Sequence, residues 1–262
     1  MPLIVNNAVQ NHSPTLPLAL VIRDCHSVAE AMEGRQLQPG EIQLWHASPS
    51  ITAFEPASAE KLLSADERTR MGRFHFDKDR SNFLFCRSML RMLLASYLGV
   101  FPEELIFAYS AHGKPSLVRS SVCLEFNMSH SNGDLLIATC LGRKIGVDIE
   151  WVRHDLDVHE IAQRFFSAAE NKALHAMPNR SCYDTFFSCW TRKEAFVKAR
   201  GEGLSCPLDS FDVSVETGAG RVNLTTRPGL EASRWELWSL NGPPGFAAAV
   251  AVESGNGESG AF

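Results

Sequence analysis

The sequence predicts an α+β protein made of two similar halves packed side by side. Three observations carry that prediction. Two long helical patterns, one in each half of the chain, are each accompanied by short runs of β character. The chain has 262 residues, enough for one large domain or two modest ones. Hydrophobic residues at 45% and charged residues at 21% are the proportions of an ordinary soluble core and surface.

Taken in order, residues 1–40 are polar and proline-punctuated and read as an N-terminal extension with limited structure. The N-terminal half follows at 41–143. "EIQLWHAS" (41–48) alternates as a first strand, and 58–73 reads as a helix capped by Ser58. The longest helix spans 77–99 and stops at Gly99. "LIFAYS" (105–110), "LEFNMSHS" (124–131) and "LLIATCLGRKIGVDIE" (135–150) are strands, the last being two strands joined at Gly142-Arg143. The C-terminal half is 144–253. Its helix from 157 breaks at Ser167, where Ser167 and Glu170 form a capping-box pattern, and a long helix covers 181–203. Strands resume at 211–216, 221–225, 234–240 and 246–253, and 254–262 is a tail.

Composition excludes several classes. Lys plus Arg number 25 against 30 for Asp plus Glu, a net charge of −5 that argues against nucleic acid as a partner. No run approaches a membrane span, and the first residues lack the basic segment of a secretory signal. The seven cysteines are odd in number and include no CxxC, so buried free thiols in a reducing cytoplasm are expected.

"GVDIE" (146–150) places Asp148 and Glu150 two apart, hence on one face of a strand. Two carboxylates side by side call for a cation. On the second long helix, Trp190, Glu194 and Lys198 share a face at i, i+4 and i+8, which can bring a third acid and a lysine to the pair. Three oxygen donors without His or Cys suit a hard ion, Mg²⁺ best. The bland alternative is a surface Glu194–Lys198 ion pair.

Arg87 lies within the apolar stripe Phe83, Leu90, Leu94 and Tyr97, so it needs either an internal acid or a bound anion. Arg70, Arg73 and Arg80 add positive charge nearby. Lys114 stands between Gly113 and Pro115, which is either a plain β-connection or a loop fixed on a phosphate. Ser129 and His130 end a strand, and His130 alone decides nothing. His154 and His159, five apart, share no helix face and are set aside as a metal pair.

"GKP", "FNMSHS", "GVDIE", "FFSAAE" and "WTRKEAFVKARGEGL", in that order, resemble the 4′-phosphopantetheinyl transferases, specifically the broad-specificity, surfactin-synthetase-activating type. The resemblance runs from about Glu41 to Glu253. It implies a pseudo-dimer of two α+β halves with the active site in the cleft between them. It implies Mg²⁺-dependent transfer of the 4′-phosphopantetheine arm of coenzyme A to a serine of an apo acyl or peptidyl carrier protein, releasing 3′,5′-ADP. Carried onto matching positions, Asp148, Glu150 and Glu194 would hold Mg²⁺, with Glu194 also the base for the carrier serine. Lys198 would neutralise the pyrophosphate. Lys114, Ser129 and His130 would bind the 3′-phosphoadenosine end, Arg70 and Arg87 would add cationic contacts, and Pro115 would shape the adenine edge. The partners implied are coenzyme A and acidic carrier domains, with the transferase itself a monomer. Ala195 stands where the family often has serine. Two other readings are a coenzyme A-dependent acyltransferase with His130 as base, and a non-catalytic coenzyme A-binding or carrier-docking module.

Overall fold

In the computed structural model, residues 22–27, 30–31, 33–118, 122–203, 206–226 and 232–255 are described. Each half is a four-stranded sheet covered by one 22-residue helix. The N-terminal sheet has strand order β1-β2-β6-β5, with β1 Ile22–Asp24, β2 Ile42–Ala47, β5 Leu124–Ser131 and β6 Asp134–Leu141. The C-terminal sheet has order β7-β12-β11-β9, with β7 Ile145–Trp151, β9 Gly220–Val222, β11 Trp235–Leu240 and β12 Phe246–Glu253. Two short pairs complete the strands: β3 Phe107–Tyr109 with β4 Pro115–Leu117, and β8 Phe211–Val213 with β10 Leu224–Thr226.

Strand alternation decides the layering. In β2 and β6, Trp45, Ala47, Leu135 and Ile137 pack with Phe85, Met89 and Leu93 of the first long helix, while Leu44, Leu136 and Ala138 point the other way. That second face meets Val147, Ile149, Val250 and Val252 of the C-terminal sheet. The opposite face of β12, Ala249 and Ala251, packs with Phe186, Cys189 and Phe196 of the second long helix. The order is therefore helix, sheet, sheet, helix. Both faces of each sheet are covered, which is why "FAAAVAV" is apolar without a break and "LLIATCL" is interrupted only by the buried Thr139.

Among the described residues the helices are α1 Pro56–Lys61, α2 Ala65–Met71, α3 Asp77–Leu98, α4 Val158–Phe165, α5 Ala168–His175 and α6 Asn179–Arg200. The long helices α3 and α6 each stop at a glycine in the left-handed region, Gly99 at φ 65° and Gly201 at φ 74°. Two expectations differ from what is seen. The segment 58–73 is two helices, not one, and Ser58 lies inside the first. Glu55 caps α1 by accepting from the amides of Ala57 and Ser58, with Pro56 at the first position. Ser64 then starts α2 by a capping box with Glu67. Part of the expected extension is structured: β1 pairs in parallel with β2, Cys25 is buried, and the Cys25 amide donates to the His46 carbonyl. Of the two readings of Gly113–Pro115, the β-connection is the one seen, with Pro115 opening β4. Residues 1–21, and the tail beyond Gly255, lie outside the described residues.

The halves repeat one buried device. Ser64–Glu67 before α3 and Ser167–Glu170 before α6 are both reciprocal capping boxes, and both glutamates are 2% exposed. Arg87 and Arg91 of α3 bind Glu67, and Arg91 Nε stands 2.6 Å from it. Lys193 of α6 binds Glu170 at 2.8 Å. Each pair locks a short helix to the long one. Removing one partner strands the others in the interior, so Glu67→Ala should lower unfolding stability by about 3–5 kcal/mol in urea titrations. An unchanged midpoint would rule this lock out.

Candidate active site

The seam between the halves is where β5 of one sheet runs beside β7 of the other. No backbone ladder joins them; side chains do. Every second residue of β5 faces β7: Asn127 Oδ1 accepts the Val147 amide at 2.9 Å, Ser129 Oγ donates to Asp148 Oδ1 at 2.7 Å, and Ser131 Oγ donates to Glu150 Oε2 at 2.7 Å. Serines of the N-terminal half thus orient the acids of the C-terminal half.

Helix α6 approaches from the other side, and Gly146 permits it. A β-carbon there would lie 2.2 Å from the Ala195 carbonyl oxygen and 2.2 Å from the Ala199 amide nitrogen, so no larger residue fits. This approach brings Trp190, Glu194 and Lys198 over the acid pair. Lys198 Nζ contacts Asp148 Oδ1 at 2.6 Å and Ser129 Oγ at 2.9 Å. A cavity of about 410 Å³ is lined by Met128, Ser129, His130, Asp148, Glu150, Trp190, Glu194 and Lys198.

The pocket is short of positive charge. Burial first, then Ser131 in opposition and Asp148 in support, leave the Glu150 carboxyl above its ordinary range. Burial, and next Asp148, push Glu194 up as well, with Lys198 opposing. Asp148 Oδ2 is buried without a hydrogen-bond partner. An unpaired buried carboxylate oxygen beside two acids reluctant to ionise is a donor set that fits a hard cation. Among the described residues, no three His, Cys, Asp or Glu side chains converge tightly enough to ligate one ion together. The acids line a common pocket rather than a closed cage.

The other expected residues divide. His130 is exposed at the end of β5, with its Nδ1 3.4 Å from the amide of Asn82 on α3. Partial burial, then the Lys198 ammonium, hold its pKa below the usual imidazole value. Arg70 is exposed, its guanidinium over the Phe83 ring at 5.6 Å. Arg87 is not at the pocket wall: it is buried, bonded to Glu67 and the Tyr109 hydroxyl, and stacked over Phe107, so its partner is the internal acid. Lys114 is directed at backbone carbonyls of the C-terminal half, and Pro115 pairs with Tyr109. Glu170 is the buried partner of Lys193. Asn127, Ser131 and Met128 were not singled out in the sequence, although the period-two run Asn-x-Ser-x-Ser was there to read. A second cavity, about 470 Å³, holds His154, His159 and Cys182 and shares no lining residue with the first.

Residues 144–251 match the 4′-phosphopantetheinyl transferase superfamily, and 44–141 match the family described as 4′-phosphopantetheinyl transferase, N-terminal. The 4′-phosphopantetheinyl transferase HetI of Nostoc sp. is 35% identical over 214 residues, covering 81% of this chain and 87% of that protein. The chain belongs to the 4′-phosphopantetheinyl transferase superfamily. A 4′-phosphopantetheinyl transferase of Bacillus subtilis is 33% identical over 69% of this chain and 79% of its own length. The crystal structure of Thermotoga maritima holo-[acyl-carrier-protein] synthase overlays with a TM-score of 0.33 at 20% identity, over 42% of this chain and 62% of that one.

Two outcomes follow for the transferase. Gly146→Ala should push β7 off α6, lowering the denaturation midpoint by about 1–3 kcal/mol equivalent. A fully stable Ala variant would sink the close-approach argument. For Glu194, a carboxyl raised in the folded state costs nothing below its unfolded pKa and its full penalty above its folded pKa, so stability falls as pH rises through that window. Glu194→Gln should therefore raise Tm near pH 7 in chelator and flatten the fall of Tm that begins as pH rises past the ordinary carboxylate range.

Proposed function

We propose that the transferase moves the 4′-phosphopantetheine arm of coenzyme A onto a serine of an apo acyl or peptidyl carrier protein, releasing 3′,5′-ADP. The convergence of Asp148, Glu150, Glu194 and Lys198 in one pocket at the seam of the halves carries this reading. Phosphoryl transfer asks mainly for alignment and for positive charge where negative charge gathers.

In this proposal Asp148, Glu150 and Glu194 would hold Mg²⁺ once their carboxylates draw together about the ion, and Ser129 and Ser131 would fix the acids' orientation. Bound there, Mg²⁺ supplies charge neutralisation to the pyrophosphate of coenzyme A. Lys198, already within 2.6 Å of Asp148, contributes a cationic donor to the same phosphates. Glu194, held above the ordinary carboxylate range by burial, is suited to take the proton of the carrier serine. His130 and Arg70 supply cationic or hydrogen-bonding contacts toward the 3′-phosphate end. Met128 and Trp190 form the apolar part of the wall.

The finer features of the proposal are acidic carriers, a monomeric enzyme and a cytoplasmic location. Both walls of the pocket come from one chain, which supports the monomer. Seven free cysteines support a reducing compartment. No helix among the described residues is long and apolar enough to cross a membrane.

Incubating an apo carrier domain with the protein, coenzyme A and Mg²⁺ should add about 340 Da, the mass of the transferred arm, by mass spectrometry. The gain should vanish with EDTA, and Asp148→Asn should slow it about a hundredfold or more while leaving the fold intact. Metal-independent transfer, or a fully active Asp148→Asn, would refute the metal-site assignment. No gain with any of several carriers would refute the reaction.

A further inference from the structure

The Lys114 ammonium is far in sequence from every carbonyl it meets. It follows the β3–β4 turn of the N-terminal half, and its ammonium crosses the seam. Nζ donates to the Lys198 carbonyl at 2.8 Å, the Ile145 carbonyl at 2.9 Å and the Ala199 carbonyl at 3.3 Å. An ammonium has three N–H donors, and all three are accounted for.

The acceptors are the telling part. Lys198 and Ala199 are in the last turn of α6, whose final carbonyls have no partner within the helix. Gly201 closes the helix and its amide takes the Val197 carbonyl, leaving the next two for a group from outside. A cation there also opposes the negative end of the helix dipole. The third acceptor, Ile145, opens β7 immediately before Gly146, the residue in closest approach to Ala195 and Ala199. The ammonium therefore clamps the strand that carries Asp148 and Glu150 to the turn of α6 that carries Lys198. The surrounding turn is built to the same end. The Lys114 stem lies 3.6 Å from a β-carbon placed at Gly201, and His112 lies against Gly203. Burial lowers the Lys114 pKa, with Glu125 opposing.

We propose that Lys114 is a positioning residue of the transferase, a C-terminal helix cap supplied by the opposite half, and not a ligand of the coenzyme A 3′-phosphate. The inference rests on the transfer reaction proposed above. It follows that losing the ammonium misaligns the acids and Lys198 with respect to one another, which reduces turnover, while the donor's 3′-phosphate loses no contact.

The test compares Lys114→Met with wild type using coenzyme A and 3′-dephospho-coenzyme A as donors. The clamp predicts a kcat loss of about tenfold or more, because small misplacements of reacting groups are costly. The loss should be the same for both donors, with KM for each within about threefold of wild type. Lys114→Arg, which keeps a cation and donors, should recover part of it. Hydrogen exchange, with neither metal nor donor present, should quicken at 195–201 and 145–150 in Lys114→Met and remain unchanged elsewhere. A rise in KM for coenzyme A with kcat intact, absent for the dephospho donor, would show a phosphate ligand and overturn the proposal. So would exchange unchanged at the end of α6. Should Lys114→Met fail to fold, Lys114→Arg and Lys114→Gln carry the same comparison. A wild-type protein inactive with every carrier overturns the reaction, and the exchange measurement still decides the clamp.

Discussion

The contact between β7 and α6 at Gly146 is the constraint on which the rest depends. A strand normally keeps a side chain's distance from a helix packed on it. Here the backbones approach until no β-carbon fits, so side chains on either flank of the crossing meet without reaching. Asp148 and Glu150 come from the strand, and Glu194 and Lys198 from the helix. The position of the pocket at the seam follows from this, because β7 is the edge of its sheet and β5 is the edge of the other. Two edges that bond through Asn127, Ser129 and Ser131, and not through a continuous ladder, leave room for a ligand between them.

Buried charge is handled in two ways in this molecule. Glu67 and Glu170 are nearly inaccessible, yet each has a full set of partners: capping amides and cations of the neighbouring long helix. The pocket acids are different. Asp148 keeps one oxygen unpartnered, and Glu150 and Glu194 are driven toward protonation by burial and by repulsion. The chain contains arginines and lysines that complete buried networks elsewhere, so shortage of charge at the pocket is local and not compositional. Under-compensated acids in a cavity are where a protein retains free energy for a ligand.

The sequence was most legible where one local rule decided the outcome. Gly99 and Gly201 end the long helices because only glycine takes that backbone conformation without strain, and β5 fell on "LEFNMSHS" to the residue. Asp148 with Glu150, and Glu194 with Lys198, were visible because strand and helix periods place them on shared faces. The sequence was less legible where two signals competed or where partners were distant. Ser58 and Ser64 both resemble caps, and the reciprocal bond to Glu67 selected the second. The three residues of β1 have no pattern of their own and are ordered by a parallel strand that comes later in the chain. Arg87 and Lys114 carry no mark of their partners, because those partners are on other elements.

Counting back from the helix-ending glycines shows why two similar halves yield one acidic pocket. Three residues before Gly201 is Lys198; three before Gly99 is Ser96. Seven before them are Glu194 and Met92, and eight before them are Lys193 and Arg91. The structural cation that meets the capping glutamate is thus kept in both helices, while the pocket residues are kept in one. Met92 is fully buried among the apolar side chains of its half, where a carboxylate would have no partner. The strands agree: aligned from Ile42 and Ile145, Trp45 answers Asp148 and Ala47 answers Glu150. The N-terminal half therefore has the same frame with an apolar filling. Its contribution to the pocket is made from its edge, through the serines of β5 that hold the other half's acids in place.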